Sequence, residues 1–142
     1  MTNRRAAGSP TATACSLIAL ARVDEPRGSL CVAEDLGFEI KRAYWIFDLP
    51  EGAERANHAH REQYEALVAV RGSFVVHCED GHGRDSWTLD SPDAGLFIPP
   101  MVFHRLDGFS PDAVCLVFAS GPYLDAEYVH DYDEFRELVS TW

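Results

Sequence analysis

Two histidines separated by one residue, His58 and His60, are the side chains of this sequence best placed to do chemistry. In an extended strand successive side chains alternate between faces, so both imidazoles project to the same side and act as a pair. Imidazole has the unperturbed pKa nearest neutrality, which suits a group that takes up a proton and gives it back. Glu65 opens the next apolar run and can point toward the same interior, and Gly72 marks a tight turn after it. Further along, His104 follows Pro99, Pro100 and Met101. With His58, His60 and Glu65 it completes a set of three imidazoles and one carboxylate, donors that suit iron, manganese, nickel or zinc. The spacing therefore admits two chemistries, proton shuttling by the histidine pair alone and catalysis at a bound metal.

The elements that must hold these residues are short. Runs of β-branched and aromatic residues at 29–32, 41–47, 64–70, 73–78, 86–89, 95–98 and 113–119 are separated by Gly, Pro and Asp clusters, at intervals typical of a sandwich or barrel. Arg71-Gly72 and the stretch from Glu79 to Gly83 carry turn residues between apolar runs, so an antiparallel meander is expected. Only 131–139 reads as a helix, starting acidic at Asp131 and spacing its apolar residues by three to four. Residues 1–14 are rich in Ala, Thr, Gly, Ser and Pro without an apolar period and read as a flexible tail before a single domain over 15–142.

The bulk composition narrows the partners. With 12 Lys plus Arg against 23 Asp plus Glu, the formal net charge is −11, and the mean field repels nucleic acid and anionic lipid. A local pocket for one phosphorylated small molecule needs only two or three well-placed arginines, so it survives this argument. The four cysteines, Cys15, Cys31, Cys78 and Cys115, form no Cys-x-x-Cys pair and read as mostly buried, reduced thiols. No apolar run is long enough for a membrane span, and the cytoplasm is the expected location.

The stretch from Gly52 to Gly72 has the pattern G-x5-H-x-H-x4-E-x6-G, which resembles the first motif of the cupin superfamily at every fixed position. Gly95 to His104 resembles the second motif, with Met101 at the usual glycine. The resemblance implies an all-β fold, a jelly-roll barrel of the double-stranded β-helix kind, with a short C-terminal helix. A closer resemblance runs from Arg27 to Val139. Arg27 to Leu30, Phe38 to Tyr44, Arg55 ahead of His58-Ala-His60, Leu89 to Pro92, Met101 to His104, Leu116 to Ser120 and Tyr132 to Phe135 are similar to the WxcM-like sugar 3,4-ketoisomerases.

That family resemblance implies conversion of a dTDP-linked 4-keto-6-deoxyhexose to its 3-keto isomer through an enediol, with no metal or other cofactor. It also implies a homodimer, often with exchanged N-terminal strands. By the same resemblance His58 carries the proton between the carbons and His60 manages the proton shared by the two oxygens. Tyr44 and Arg42 orient the sugar or stabilise the enediolate, Arg27 and Arg55 pair with the diphosphate, and His104 joins the substrate-binding set. Two departures stand out: Ala56-Asn57 precedes His58 where the family often has Arg-Gly-x-His, and Glu65 stands where Gln or another polar residue is usual. The alternatives are a metal-dependent dioxygenase or hydrolase using His58, His60, Glu65 and His104, and a sugar-nucleotide binder without catalysis. His77, His82 and His130 read as solvated, and Trp45 and Trp87 as core or interface residues.

Overall fold

Alternation of buried and part-exposed side chains builds this molecule. In the computed structural model, which describes residues 12–140, Phe74, Val76 and Cys78 turn inward from one strand while Cys115, Val117 and Ala119 do so from another. The strands are β1 (Ser16–Ala19), β2 (Ala21–Glu25), β3 (Gly28–Val32), β4 (Arg42–Ile46), β5 (Arg55–His60), β6 (Glu65–Arg71), β7 (Phe74–Glu79), β8 (Arg84–Leu89), β9 (Ala94–Ile98), β10 (Phe103–Asp107), β11 (Val114–Ala119) and β12 (Tyr128–Val129). Among the described residues a single α-helix, α1 (Tyr132–Val139), follows. Two five-stranded sheets, ordered β1-β9-β6-β11-β4 and β12-β5-β10-β7-β8, face each other, and β2 and β3 form a separate hairpin. This is the expected all-β jelly-roll barrel.

Between the sheets lies a core of Leu67, Leu96, Ile98 and Val117 from one side and Phe74, Val76, Leu89 and Leu106 from the other. Burying each such side chain contributes about 1.5–3 kcal/mol. The expected meander is not what forms. From β4 to β7 the chain passes from one sheet to the other at every step, and among the described residues only β2–β3 and β7–β8 are hairpins of consecutive strands. Arg71-Gly72 is therefore a corner between sheets. Gly72 has φ +68°, and a Cβ there would sit 2.8 Å from Ala113 Cα, so the corner closes only around a glycine.

The helix forms where the acidic start places it. Asp131 caps it by accepting from the backbone N–H groups of Asp133 and Glu134, leaving Phe135 and Val139 to bury against Ala59, Met101 and Val129. Ala59 thus faces the helix while its neighbours His58 and His60 face the barrel. Of the expected tail, residues 1–11 lie outside the described residues. Thr13 is buried, with its N–H and hydroxyl bonded to the two oxygens of Asp85 at 3.0 and 2.9 Å. Ala14 N–H donates to Asp80. Cys15, Cys78 and Cys115 are buried and Cys31 is exposed, all as free thiols.

Candidate active site

His58 reaches the barrel interior through an irregular strand. In the β5–β10 pairing, His104 lies opposite His58 and Arg105 opposite Ala56, so Asn57 is an extra residue and forms a bulge. Ala56 and Asn57 both adopt left-handed backbone, φ +69° and +60°. Asn tolerates this conformation, whereas alanine pays about 1 kcal/mol for its Cβ. Ala56→Gly is accordingly expected to raise stability or leave it unchanged despite the added chain freedom, and a urea titration would measure it. A loss above 1 kcal/mol would show the strain is absent.

The bulge aims His58 into a cavity of about 690 Å³ lined by Arg42, Tyr44, Glu65, His104, Tyr128 and His130, among others. The His58 ring meets those of His60, His104 and Tyr128 edge-on, with centroids 5.1, 4.9 and 4.9 Å away. Its Nε2 is buried without a hydrogen-bond partner. Burial, then the rings of His104 and His60, lower its pKa to about 3, while the charge of Glu65 pulls the other way. At neutral pH His58 is an uncharged base with a free lone pair.

Glu65 is the buried charge of the site. Tyr44 Oη donates to its Oε2 at 3.0 Å, His60 Nε2 lies 3.0 Å from the same oxygen, and His104 Nε2 lies 3.6 Å from Oε1. Desolvation opposes its ionisation, but the His104 and His60 rings outweigh this and hold the carboxyl well below the usual range. Burial and then the Glu65 charge push the Tyr44 hydroxyl far upward, so it remains protonated. One ligand atom each from His58, His60, Glu65 and His104 fall within 4.8 Å of one another, a spacing that could also hold a divalent ion. Arg42 spans the mouth: its guanidinium contacts Tyr128 Oη at 3.3 and 3.4 Å and Gln63 Oε1 at 3.4 Å, and lies over the rings of Tyr44 and Tyr123.

Residues 13–140 match the protein family described as FdtA: WxcM-like, C-terminal. The chain belongs to this family. A TDP-4-oxo-6-deoxy-alpha-D-glucose-3,4-oxoisomerase from Aneurinibacillus thermoaerophilus is 38% identical over 122 residues, 84% of this chain and 88% of the relative. Among solved structures, a 3,4-ketoisomerase from Helicobacter canadensis superposes with TM-score 0.85 at 36% identity, covering 89% of this chain and 98% of that one. QdtA, a sugar 3,4-ketoisomerase from Thermoanaerobacterium thermosaccharolyticum in complex with TDP, gives TM-score 0.86 at 27% identity over 89% and 95% of the two chains.

In this FdtA-family chain the cavity gathers His58, Tyr44, Arg42, Arg55 and His104 from the expected set. His60 is fully buried behind them, touching Tyr128 and Glu65, and is not part of the cavity wall. Arg27 is not brought in. It sits beside the β2–β3 turn, paired with Glu25 and 87% exposed. One histidine differs from its solvated reading. His77 is held by Ser86 at 2.9 Å and Asp107 at 2.8 Å. His130 is exposed, as its reading has it, and its ring also lines the cavity, stacked on Tyr128 with an interplanar angle of 5°. Tyr123 and Tyr128 join the cavity without a sequence motif to announce them, although Tyr128 and His130 share the one-residue spacing of the first histidine pair. Trp87 is core, and Trp45 is 60% exposed on the outer face of β4.

Proposed function

We propose that the chain is a sugar 3,4-ketoisomerase acting on TDP-4-keto-6-deoxyglucose, in which His58 moves the proton between C3 and C4. The observation that carries this reading is the unpartnered, uncharged His58 Nε2 inside a cavity of sugar size, in a chain whose relatives are TDP-sugar ketoisomerases. His58 takes the C3 proton, the C3–H electron pair becomes the C3=C4 bond, and the former carbonyl oxygen O4 takes the charge. The Glu65 carboxylate favours the imidazolium as it forms. Return of the proton to C4 and loss of the O3 proton leave the ketone at C3. His60 serves the oxygens from behind the cavity wall, Arg42 and Tyr44 orient the ring, and Arg55 pairs with the diphosphate. The kinship with ketoisomerases favours this chemistry over the metal-dependent alternative. Incubation with TDP-4-keto-6-deoxyglucose, followed by proton NMR, should show the 3-keto sugar; a substrate that stays unchanged refutes the reading.

The working unit on this reading is a homodimer of single-domain chains, 15–142, in the cytoplasm. No helix among the described residues is long and apolar enough to cross a membrane. The β2–β3 hairpin pairs with no other described strand and exposes Val23, Leu30 and Val32. Strand β4 is a sheet edge with Trp45 exposed and Phe47 exposed just beyond its end. Such an edge and such a hairpin call for cover, and exchange of hairpins between two copies supplies it while offering Arg27 a route to the partner's cavity. Light scattering should give twice the mass of one chain, and Leu30→Glu should shift it toward one. A monomeric wild-type protein refutes the dimer.

A further inference from the structure

Arg42 lines the cavity beside Tyr44, Tyr123 and Tyr128. Its guanidinium lies over the rings of Tyr44 and Tyr123, 5.1 and 5.8 Å from their centroids. Such stacking sets the plane of the cation but leaves it free to turn within that plane, because the face of a ring attracts charge without preferring a direction. Hydrogen bonds remove that freedom. The outer nitrogens of Arg42 donate to Tyr128 Oη at 3.3 and 3.4 Å and to Gln63 Oε1 at 3.4 Å, while its Nε is buried with no partner among the described residues. We propose that Gln63, which lies outside the cavity wall, is a positioning residue that turns the Arg42 guanidinium toward the hexose. It acts on the sugar only through Arg42, and the inference rests on the isomerase reading above.

The amide of Gln63 is itself fixed. It is buried, and its Nε2 donates to the Pro122 carbonyl at 2.9 Å, which turns Oε1 toward Arg42. Its backbone N–H donates to Glu127 Oε2 at 2.6 Å. Beyond the last paired residues of β11 and β6, Ala119 and Glu65, the Ser120 N–H donates to the Tyr64 carbonyl at 3.0 Å and brings Gly121 beside Gln63. A Cβ at Gly121 would stand 2.6 Å from Gln63 Nε2 and 2.9 Å from its Cδ, so the side chain crosses to Arg42 over a position left open by a glycine. The nearest atoms to that Cβ all belong to the Gln63 side chain. An alanine at 121 therefore displaces the amide and leaves the backbone in place.

Turnover of TDP-4-keto-6-deoxyglucose, followed by proton NMR, tests this in three variants. Gln63→Met keeps the length of the side chain and loses both amide contacts. Gly121→Ala keeps the amide and pushes it aside, and Arg42→Lys removes the guanidinium that Gln63 aims. A misplaced group costs the chemical step, so kcat is expected to fall about tenfold in Gln63→Met and in Gly121→Ala while KM moves less than about threefold. In the Arg42→Lys background, adding Gln63→Met should cost less than about twofold more, because the two residues act as one unit. A kcat loss of full size in that background would make Gln63 a structural part independent of Arg42, and unchanged kcat in either single variant would deny the amide any bearing on the reaction; either overturns the proposal. Melting curves establish that the variants fold, and Gly121→Ala, alone and with Arg42→Lys, carries the test should Gln63→Met not fold. Wild-type protein giving no product would instead sink the isomerase reading, and this inference with it.

Discussion

His58→Asn is expected to lower isomerase turnover by about 10³-fold, within the range removed with a general base, while TDP still raises the melting temperature. The two results follow from separate parts of the site. Asparagine has no basic nitrogen to hold the C3 proton, so the carbon step stops. The groups assigned to the ring and the diphosphate, Arg42 and Arg55, lie elsewhere on the wall and are untouched. The hydrogen at C3 gives the sharper measurement: its NMR signal should persist in D2O, where the wild-type protein replaces it with deuterium. Turnover within tenfold of wild type would remove His58 from its role and leave the reaction without a base.

The second large effect is loss of stability in mild acid. The pKa of His58 is about 3 in the folded chain against an ordinary value of 6.5. Between those values the unfolded chain binds a proton that the folded chain refuses, so stability rises with pH across the window and falls as pH drops from about 6.5 toward 3. The full cost is on the order of 5 kcal/mol, reached near the bottom of the window. Glu65 adds to it later: its carboxyl is held below the ordinary 4.5, so its contribution is intact above that value and goes as pH falls further. Urea unfolding at pH 7 and pH 5 isolates the histidine. The wild-type midpoint should fall between the two, and His58→Asn should flatten the difference. An equal fall in the variant would assign the acid sensitivity to other groups.

How far the sequence led depended on whether a signal was local. The pairing of His58 with His60 follows from a period of two, and Asp131 announces its helix through its own side chain. Gly72 shows the limit. A glycine between two apolar runs serves equally well in a hairpin or in a corner between sheets, and the distinction rests on Ser110 to Ala113, which close around it from a distant segment. The place of His130 on the cavity wall has a similar cause. Its neighbours in sequence suggest a loop, and its function-bearing neighbours, Tyr128 and His58, are brought to it by the two-residue strand β12 lying beside β5. Glu65 was placed inside the barrel by its position at the start of an apolar run, but its bond to Tyr44 depends on β11 lying between β6 and β4.

The passage of the chain back and forth between the sheets also governs when the cavity comes into being. His58 and His104 sit on paired strands β5 and β10, while Glu65 and Tyr44 belong to the opposite sheet, so no single hairpin contains the set. Closing such distant loops is entropically expensive, which makes barrels of this kind slow to mature, on scales of milliseconds to seconds. Recovery of activity after dilution from denaturant should accordingly trail the return of strand content, and partial products of synthesis carry none of the chemistry.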